Sequence, residues 1–415
     1  MSTPADGDGR RVPVAAGRGA FTLLLIATLG TFASYSVLLP VVPLWAESGG
    51  AGTTGAGSTT GVFMLTTVLT QLAVPALLAR LGPRALLVAG GVFMAVSSAA
   101  FALSARLWPV VAVSGLRGVG FGLLTVVGSA LIAMLLPVGE RGRGSALYGL
   151  AVGVPNVAGL PAGVWLAEHV GHRTVFVVAA VVAAAGTAAA AVMPHIDPVR
   201  HGHRRRSADE PRWEGDGRAE DEGGAGGPGV PVAALLLPAV ALVTTALAAG
   251  GVVTFLAVAV PHATAVSGAL FSYGLASIVG RSAAGVLSDR MRRPVTVIPG
   301  VVAGTAGMAL LAAAAAGTAV TPSVLAGAGL LGLGFGAVQS DTLITMFHRT
   351  GPRGYGKAST VWNVAYDGGF GIGSVGVGVV AALSDFTAAF VVTAAVVLAS
   401  LPVAVRAARA RTTAH

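Results

Sequence analysis

The chain is written twice. GLRGVGFG at Gly115–Gly122 returns as GLLGLGFG at Gly329–Gly336, and RGRGSA from Arg141 returns as RGYGKA from Arg353. Phe176 and the two valines after it match Phe390 and its two valines, and Arg80 matches Arg290, so four pairings share an offset of 210 to 214 residues. That is half of a 415-residue chain, far beyond the roughly 20 to 50 residues of a solenoid unit. The remaining reading is duplication of a whole half-protein. Among membrane proteins such duplications place a binding site between the halves.

Composition points to a membrane independently. Charged residues are 10% and apolar residues 54% of the chain, with a mean hydropathy of +0.80, whereas soluble domains carry about 25% charge. Twelve apolar segments of about 20 residues can be counted, the length that crosses a hydrocarbon core of about 30 Å. They are predicted at 20–45, 59–79, 85–105, 109–136, 145–167 and 174–193 (spans 1 to 6). The second set is 232–260, 264–288, 295–318, 322–347, 357–382 and 386–405 (spans 7 to 12). This makes an all-α membrane protein of two pseudo-symmetric six-helix bundles, 20–193 and 231–405, with tails at 1–19 and 406–415.

Basic residues set the expected orientation. The N-tail, the loops after spans 2, 4, 6, 8 and 10, and the C-tail together hold 22 of the 26 Lys and Arg, while the opposite loops hold only Arg106 and Arg173. By the positive-inside rule the rich side is cytoplasmic, with both termini inside and the protein in the inner (plasma) membrane. The net charge of +9 is thereby spread over topology-setting loops, so no nucleic-acid partner is expected. The polar N-tail and the long span 1 predict no signal cleavage. The chain has no cysteine, which excludes disulfides and thiolate chemistry.

Residues 194–230 divide the halves and read as a flexible cytoplasmic linker, basic at Arg204–Arg206, then acidic, then Gly-rich. His195, His201 and His203 with Asp197 could meet a metal ion there, but a flexible tract offers no preformed geometry, so no metal and no cofactor are expected.

Polar residues at membrane depth are expensive and face cavities or partners. Spans 3, 6, 9 and 12 contain no charged residue, Asn or Gln, as expected of lipid-facing helices. The other spans carry Gln71, Arg117, Asn156, Arg281, Gln339, Asp341, Asn363 and Asp367. Substrate-cavity candidates are Tyr35, Gln71, Asn156, Tyr273, Gln339, Trp362, Asn363 and Tyr366. Asp367 lies eleven residues into span 11 from Gly356, roughly 16 Å at helical rise and so near the midplane. Asn363 is one turn before it, and Trp362 and Tyr366 form an aromatic pair at helical spacing. An aspartate there can bind and release a proton as the cavity opens to either side, or stay permanently paired with an arginine, or serve only to bind a cation. Arg117 and Asp341 are further coupling candidates. Asp341 stands nearer the basic-loop end, where a structural role is the more common one.

At the loop after span 8, GVLSDRMRR from Gly285 to Arg293 is similar to the G-x-L-x-D-R-x-G-R-R motif of the major facilitator superfamily, with Arg292 for the second glycine. The first-half loop, PALLARLGPR from Pro75 to Arg84, keeps Leu77, Arg80, Gly82 and Arg84 but has Ala79 for aspartate. Arg117 with GVGFG resembles the family's arginine motif in span 4, and Pro155 and Gly159 match part of its exporter motif. The resemblance implies a gate on the cytoplasmic side built from Gly285, Asp289, Arg290, Arg293, Arg80, Gly82 and Arg84. Asp289 would accept bonds from a neighbouring helix start and the arginines would bridge to it. A constitutive turn is the plainer alternative.

Two enzyme-like patterns fail on context. GPRGYGKA from Gly351 has Ala358 where a phosphate loop needs a hydroxyl, and GVGFG lies inside a span, not after a strand. An enzyme is therefore not expected. The resemblance implies a monomeric carrier in the lipid bilayer that exports a small amphipathic molecule, a drug or secreted metabolite, in exchange for protons. Proton-symport uptake of a sugar, peptide or other nutrient, and a non-transporting receptor, stay open as alternatives.

Overall fold

Hydrocarbon cannot solvate a bare amide, so an apolar run in a membrane closes its own hydrogen bonds as helix. The computed structural model describes residues 14–137, 140–194, 233–260, 263–291, 294–318 and 320–409. Among these, twelve helices are long and apolar enough to cross a membrane. Spans 1 to 6 are Arg18–Ser48, Gly52–Leu81, Pro83–Leu103, Leu107–Ile132, Arg143–Val170 and His172–Ala191. Spans 7 to 12 are Leu235–Ala259, Thr264–Met291, Val297–Ala315, Thr321–Gly351, Gly354–Leu383 and Phe386–Arg406. Residues 195–232, with His195, Asp197, His201, His203 and Arg204–Arg206 of the expected linker, lie outside the described residues, as does Arg293 of the loop motif.

The largest departure from expectation is span 2, which begins at Gly52 and not near 59. The stretch GTTGAGS is too small and polar to register as apolar, yet it is helical because a neighbour packs on it. A Cβ on Gly57 would collide with the Ser374 carbonyl oxygen of span 11, so only glycine lets the two backbones meet. Spans 10 and 11 run together through the helix Val320–Leu383, broken at Gly351, whose φ of 64° and ψ of −179° suit glycine.

The duplication is visible in the packing itself. A Cβ built on Gly90 of span 3 would sit 2.9 Å from the Gly120 carbonyl of span 4, and one on Gly300 of span 9 would sit 2.9 Å from that of Gly334 of span 10. Gly118 lies against the Phe63 backbone and Gly332 against that of Tyr273; Gly122 meets Thr67 and Gly336 meets Ser277. Spans 2 and 8 thus correspond at an offset of 210 residues, and spans 4 and 10 at 214. Each half is a six-helix bundle. Spans 3 and 6 pack chiefly on each other and on spans 4 and 1; span 9 packs on spans 10 and 12.

The halves meet along spans 2 and 11, spans 5 and 8, and spans 1 and 7. On the side away from the basic loops this seam is closed. Thr53 Oγ1 donates to the Gly378 carbonyl at 3.0 Å, and Thr254 Oγ1 reaches Ser374 Oγ at 2.9 Å and Thr60 Oγ1 at 3.5 Å. Toward the basic-loop side it opens: Gly149 of span 5 and Gly356 of span 11 have nothing within 4 Å of a Cβ position, and Arg281 is exposed despite its depth. The opening also explains why spans 2 and 8, each 28% buried over their most apolar stretch, are less covered than spans 3, 6, 9 and 12.

Candidate functional site

Span 2 reaches the seam with one strong polar group. Thr66, Thr67 and Thr70 turn their hydroxyls back onto carbonyls of their own helix, which satisfies them locally and leaves Gln71 to reach outward. Gln71 Nε2 donates to Asp367 Oδ2 of span 11 at 2.7 Å and lies 3.3 Å from Thr125 Oγ1 of span 4. Both Gln71 and Asp367 are buried at 5% exposure. The contact therefore bridges the two halves between buried side chains. No guanidinium lies within ion-pair distance of Asp367 among the described residues. The Gln71 Oε1 atom is buried without a partner.

Aromatic rings wall the seam on both sides. In the first half Tyr35 stacks on Phe121 at 4.2 Å and on Phe63 at 5.8 Å. In the second half Trp362 and Tyr366 stack at 5.5 Å, Tyr366 lies 5.5 Å from Phe335, and Phe335 lies 6.3 Å from Tyr273. Trp362 Nε1 donates to the Gln339 carbonyl at 3.2 Å, so Gln339 enters through its backbone. Asn363 donates to the Ser359 carbonyl of its own helix at 2.9 Å and makes no bond to Asp367. Asn156 accepts from Ser36 Oγ at 2.7 Å and donates to the Val152 carbonyl at 3.1 Å. Its amide thus joins spans 1 and 5 inside the first half.

Arg117 is 2% exposed, with Nη2 donating to the Ser34 carbonyl at 2.9 Å and its guanidinium 5.5 Å above the Phe63 ring. Its Nε has no partner, and beside it lies a small cavity lined by Thr59, Thr60 and Ser114, whose hydroxyl is also unpartnered. Asp341 is committed elsewhere. Ser288 Oγ donates to its Oδ1 at 2.8 Å, Val297 N to its Oδ2 at 3.0 Å, and Thr296 N also donates to Oδ2. It caps the start of span 9 from span 10, while Asp289 is exposed.

Residues 24–266, more than half of the chain, match the family model described as Major Facilitator Superfamily. The chain belongs to that superfamily. Two uncharacterized MFS-type transporters of Mycobacterium tuberculosis, from strains CDC 1551 and H37Rv, are 28% identical over 156 residues. The match covers 38% of this chain and only 23% of those relatives' length. In fold the chain is similar to a solved bacterial homolog of the human lysosomal transporter Spinster, in an inward-facing and occupied conformation. The TM-score is 0.68 at 15% identity, over 97% of this chain and 98% of that one. It is also similar to a peptide transporter POT variant in complex with sulfate, with a TM-score of 0.71 at 12% identity over 94% and 95% of the two chains.

The remaining residues of the facilitator's loop motifs fall on the open side. Asp289, Arg290 and Arg80 are exposed. Gly82, at φ 76°, makes the turn into span 3, and Arg84 donates to the Ala191 carbonyl at the end of span 6. Gly285 has only Ser340 near it, at 3.8 Å from a Cβ position. The phosphate-loop look-alike, residues 351–358, is helical and joins spans 10 and 11. No cluster of three metal-ligating residues occurs among the described residues. Sequence reasoning placed Arg281 inside span 8 without a role. Its position at the open seam is legible only once span 8 is packed.

Proposed function

We propose that this major facilitator transporter is a proton-coupled exporter of a small amphipathic molecule, working by alternating access about the seam between its halves. One observation carries the reading: Asp367 of one half is held by Gln71 of the other, 2.7 Å apart, with both side chains buried. As a carboxylate, Asp367 accepts the amide N–H. Once protonated it becomes a donor itself, and the free Gln71 Oε1 becomes the matching acceptor after the amide turns. Proton uptake or release thereby rewrites a bond that spans the halves. Such a bistable contact is what an ion-driven carrier needs.

With the basic loops on the cytoplasmic side, the seam is inward-facing. The gate residues Asp289 and Arg290 are then exposed on the open side, as an open cytoplasmic gate requires, and they engage when the seam closes. Arg117, bonded to the Ser34 carbonyl inside the first half, is the second coupling candidate. Asp341 is a structural cap and no proton carrier. The mostly apolar and aromatic walls suit an amphipathic cargo.

The test is proton flux in vesicles reconstituted with the full chain, wild type against Asp367→Asn, across lipophilic cations and candidate metabolites. Substrate-triggered proton release that vanishes in the variant while binding persists supports antiport through Asp367. Proton movement in the same direction as substrate replaces export by symport uptake. Binding without any counterflow in the wild type leaves a receptor.

A further inference from the structure

The duplication makes a comparison that neither half makes alone. Position 281 follows position 71 by 210 residues, the offset at which spans 2 and 8 superpose, so Arg281 is the second-half counterpart of Gln71. Gln71 crosses the seam to Asp367 on span 11. The counterpart of span 11 is span 5, and the repeat RGRGSA to RGYGKA runs at an offset of 212, which maps Asp367 onto Pro155. The two halves thus present one amide facing a carboxylate and, by symmetry, one guanidinium facing a proline.

The direction of Arg281 is settled by its neighbours. On one stripe of span 8, Gly274 packs on Val157 and Ile278 on Gly153, both of span 5, while Ser277 packs on Gly336 and Ser288 bonds Asp341, both of span 10. Arg281 lies within that stripe and points to the centre of the molecule, not to lipid. It stands ten residues from the end of span 8 at Met291, about 15 Å in at helical rise. At that depth its side chain is nonetheless exposed, open to the seam. No carboxylate pairs with it among the described residues: Asp367 is held by Gln71, Asp341 by the start of span 9, and Asp289 lies two turns away. An unpaired guanidinium inside a membrane protein is costly and is retained where something comes to meet it.

We propose that Arg281 is the anion-recognition point of the central cavity and that the transported molecule is an organic anion. Its charged group, a carboxylate or its equivalent, meets the guanidinium's planar pair of donors, while its apolar body lies along Trp362 and Tyr366. This names the substrate class for the transport site proposed above and rests on that site being the central seam, but not on proton coupling. The bound anion supplies the carboxylate that symmetry leaves out at Pro155.

The test is equilibrium binding to the full chain in lipid nanodiscs, read by calorimetry, with 1-naphthoate and decanoate against their neutral amides. Both anions should bind about tenfold or more tightly than the matching amides, the usual return of a charge-assisted bond in a sheltered site. Arg281→Gln should erase that preference, and Arg281→Lys should keep part of it. Size-exclusion profiles identical to wild type certify the folding of each variant. Equal binding of anion and amide, a preference that survives Arg281→Gln, or no binding of either anion at millimolar concentration overturns the proposal. An intact anion preference alongside absent proton release would sink the coupling reading alone.

Discussion

Removing the carboxylate of Asp341 separates a structural cap from a proton carrier. The group is fully buried and accepts from Ser288 Oγ and from the backbone of Thr296 and Val297. Asp341→Ala leaves three donors without an acceptor, at about 1 kcal/mol each. It also withdraws a negative charge from the start of span 9, worth about 0.5 to 1 kcal/mol. Together these cost about 3 to 4 kcal/mol, less whatever water recovers at the two partly buried amides. Asp341→Asn can keep its amide oxygen on the two N–H donors and turn its NH2 to the Ser288 hydroxyl, which can accept, so it loses mainly the charge and should cost about 1 kcal/mol. Ser288→Ala should cost about 1 kcal/mol, since it removes a single neutral donor. The assay is unfolding of the purified protein by SDS titration in mixed micelles, alongside proton flux in vesicles. Asp341→Ala that unfolds within about 1 kcal/mol of wild type yet loses proton coupling would refute the assignment and restore Asp341 as a proton carrier.

Two other expectations follow from the packing. The Cβ position of Gly61 lies 3.9 Å from Cβ of Val375 across the seam, inside the disulfide range, and the chain has no cysteine of its own. Gly61→Cys with Val375→Cys should cross-link under mild oxidation and stop transport until reduced; failure to cross-link means that the far side is not closed as described. Gly332→Ala should lower stability by about 1 to 3 kcal/mol, because its Cβ would collide with the Tyr273 carbonyl oxygen. Gly368→Ala should be neutral or better, because nothing lies within 4 Å of that position; SDS titration of the pair checks the contrast.

The spans were legible in the sequence because hydrocarbon imposes a minimum apolar length on any helix that crosses it, whatever its neighbours. The duplication was legible too, since glycines such as those of GVGFG must recur wherever the same close helix contact recurs. So was the Trp362 and Tyr366 pair, which one helix sets at its own pitch. The identity of contacts between helices was not. Gln71 and Asp367 are 296 residues apart, and nothing local relates them. Hydropathy also cannot tell a side chain packed on another helix from one facing lipid, since both surroundings are apolar; the early start of span 2 escapes it for a different reason, because GTTGAGS carries too little apolar side chain to register. That Asp341 meets Ser288 and the start of span 9 was not legible either, because those groups are neighbours in space only after spans 8, 9 and 10 pack. Sequence alone determined how many helices cross, that they come in two copies, and which costly groups lie at depth. Tertiary structure decided which of those groups meet, because the rotation of each helix about its own axis is set by the surfaces it packs against. That rotation joins Gln71 to Asp367 and leaves Arg281 facing open space.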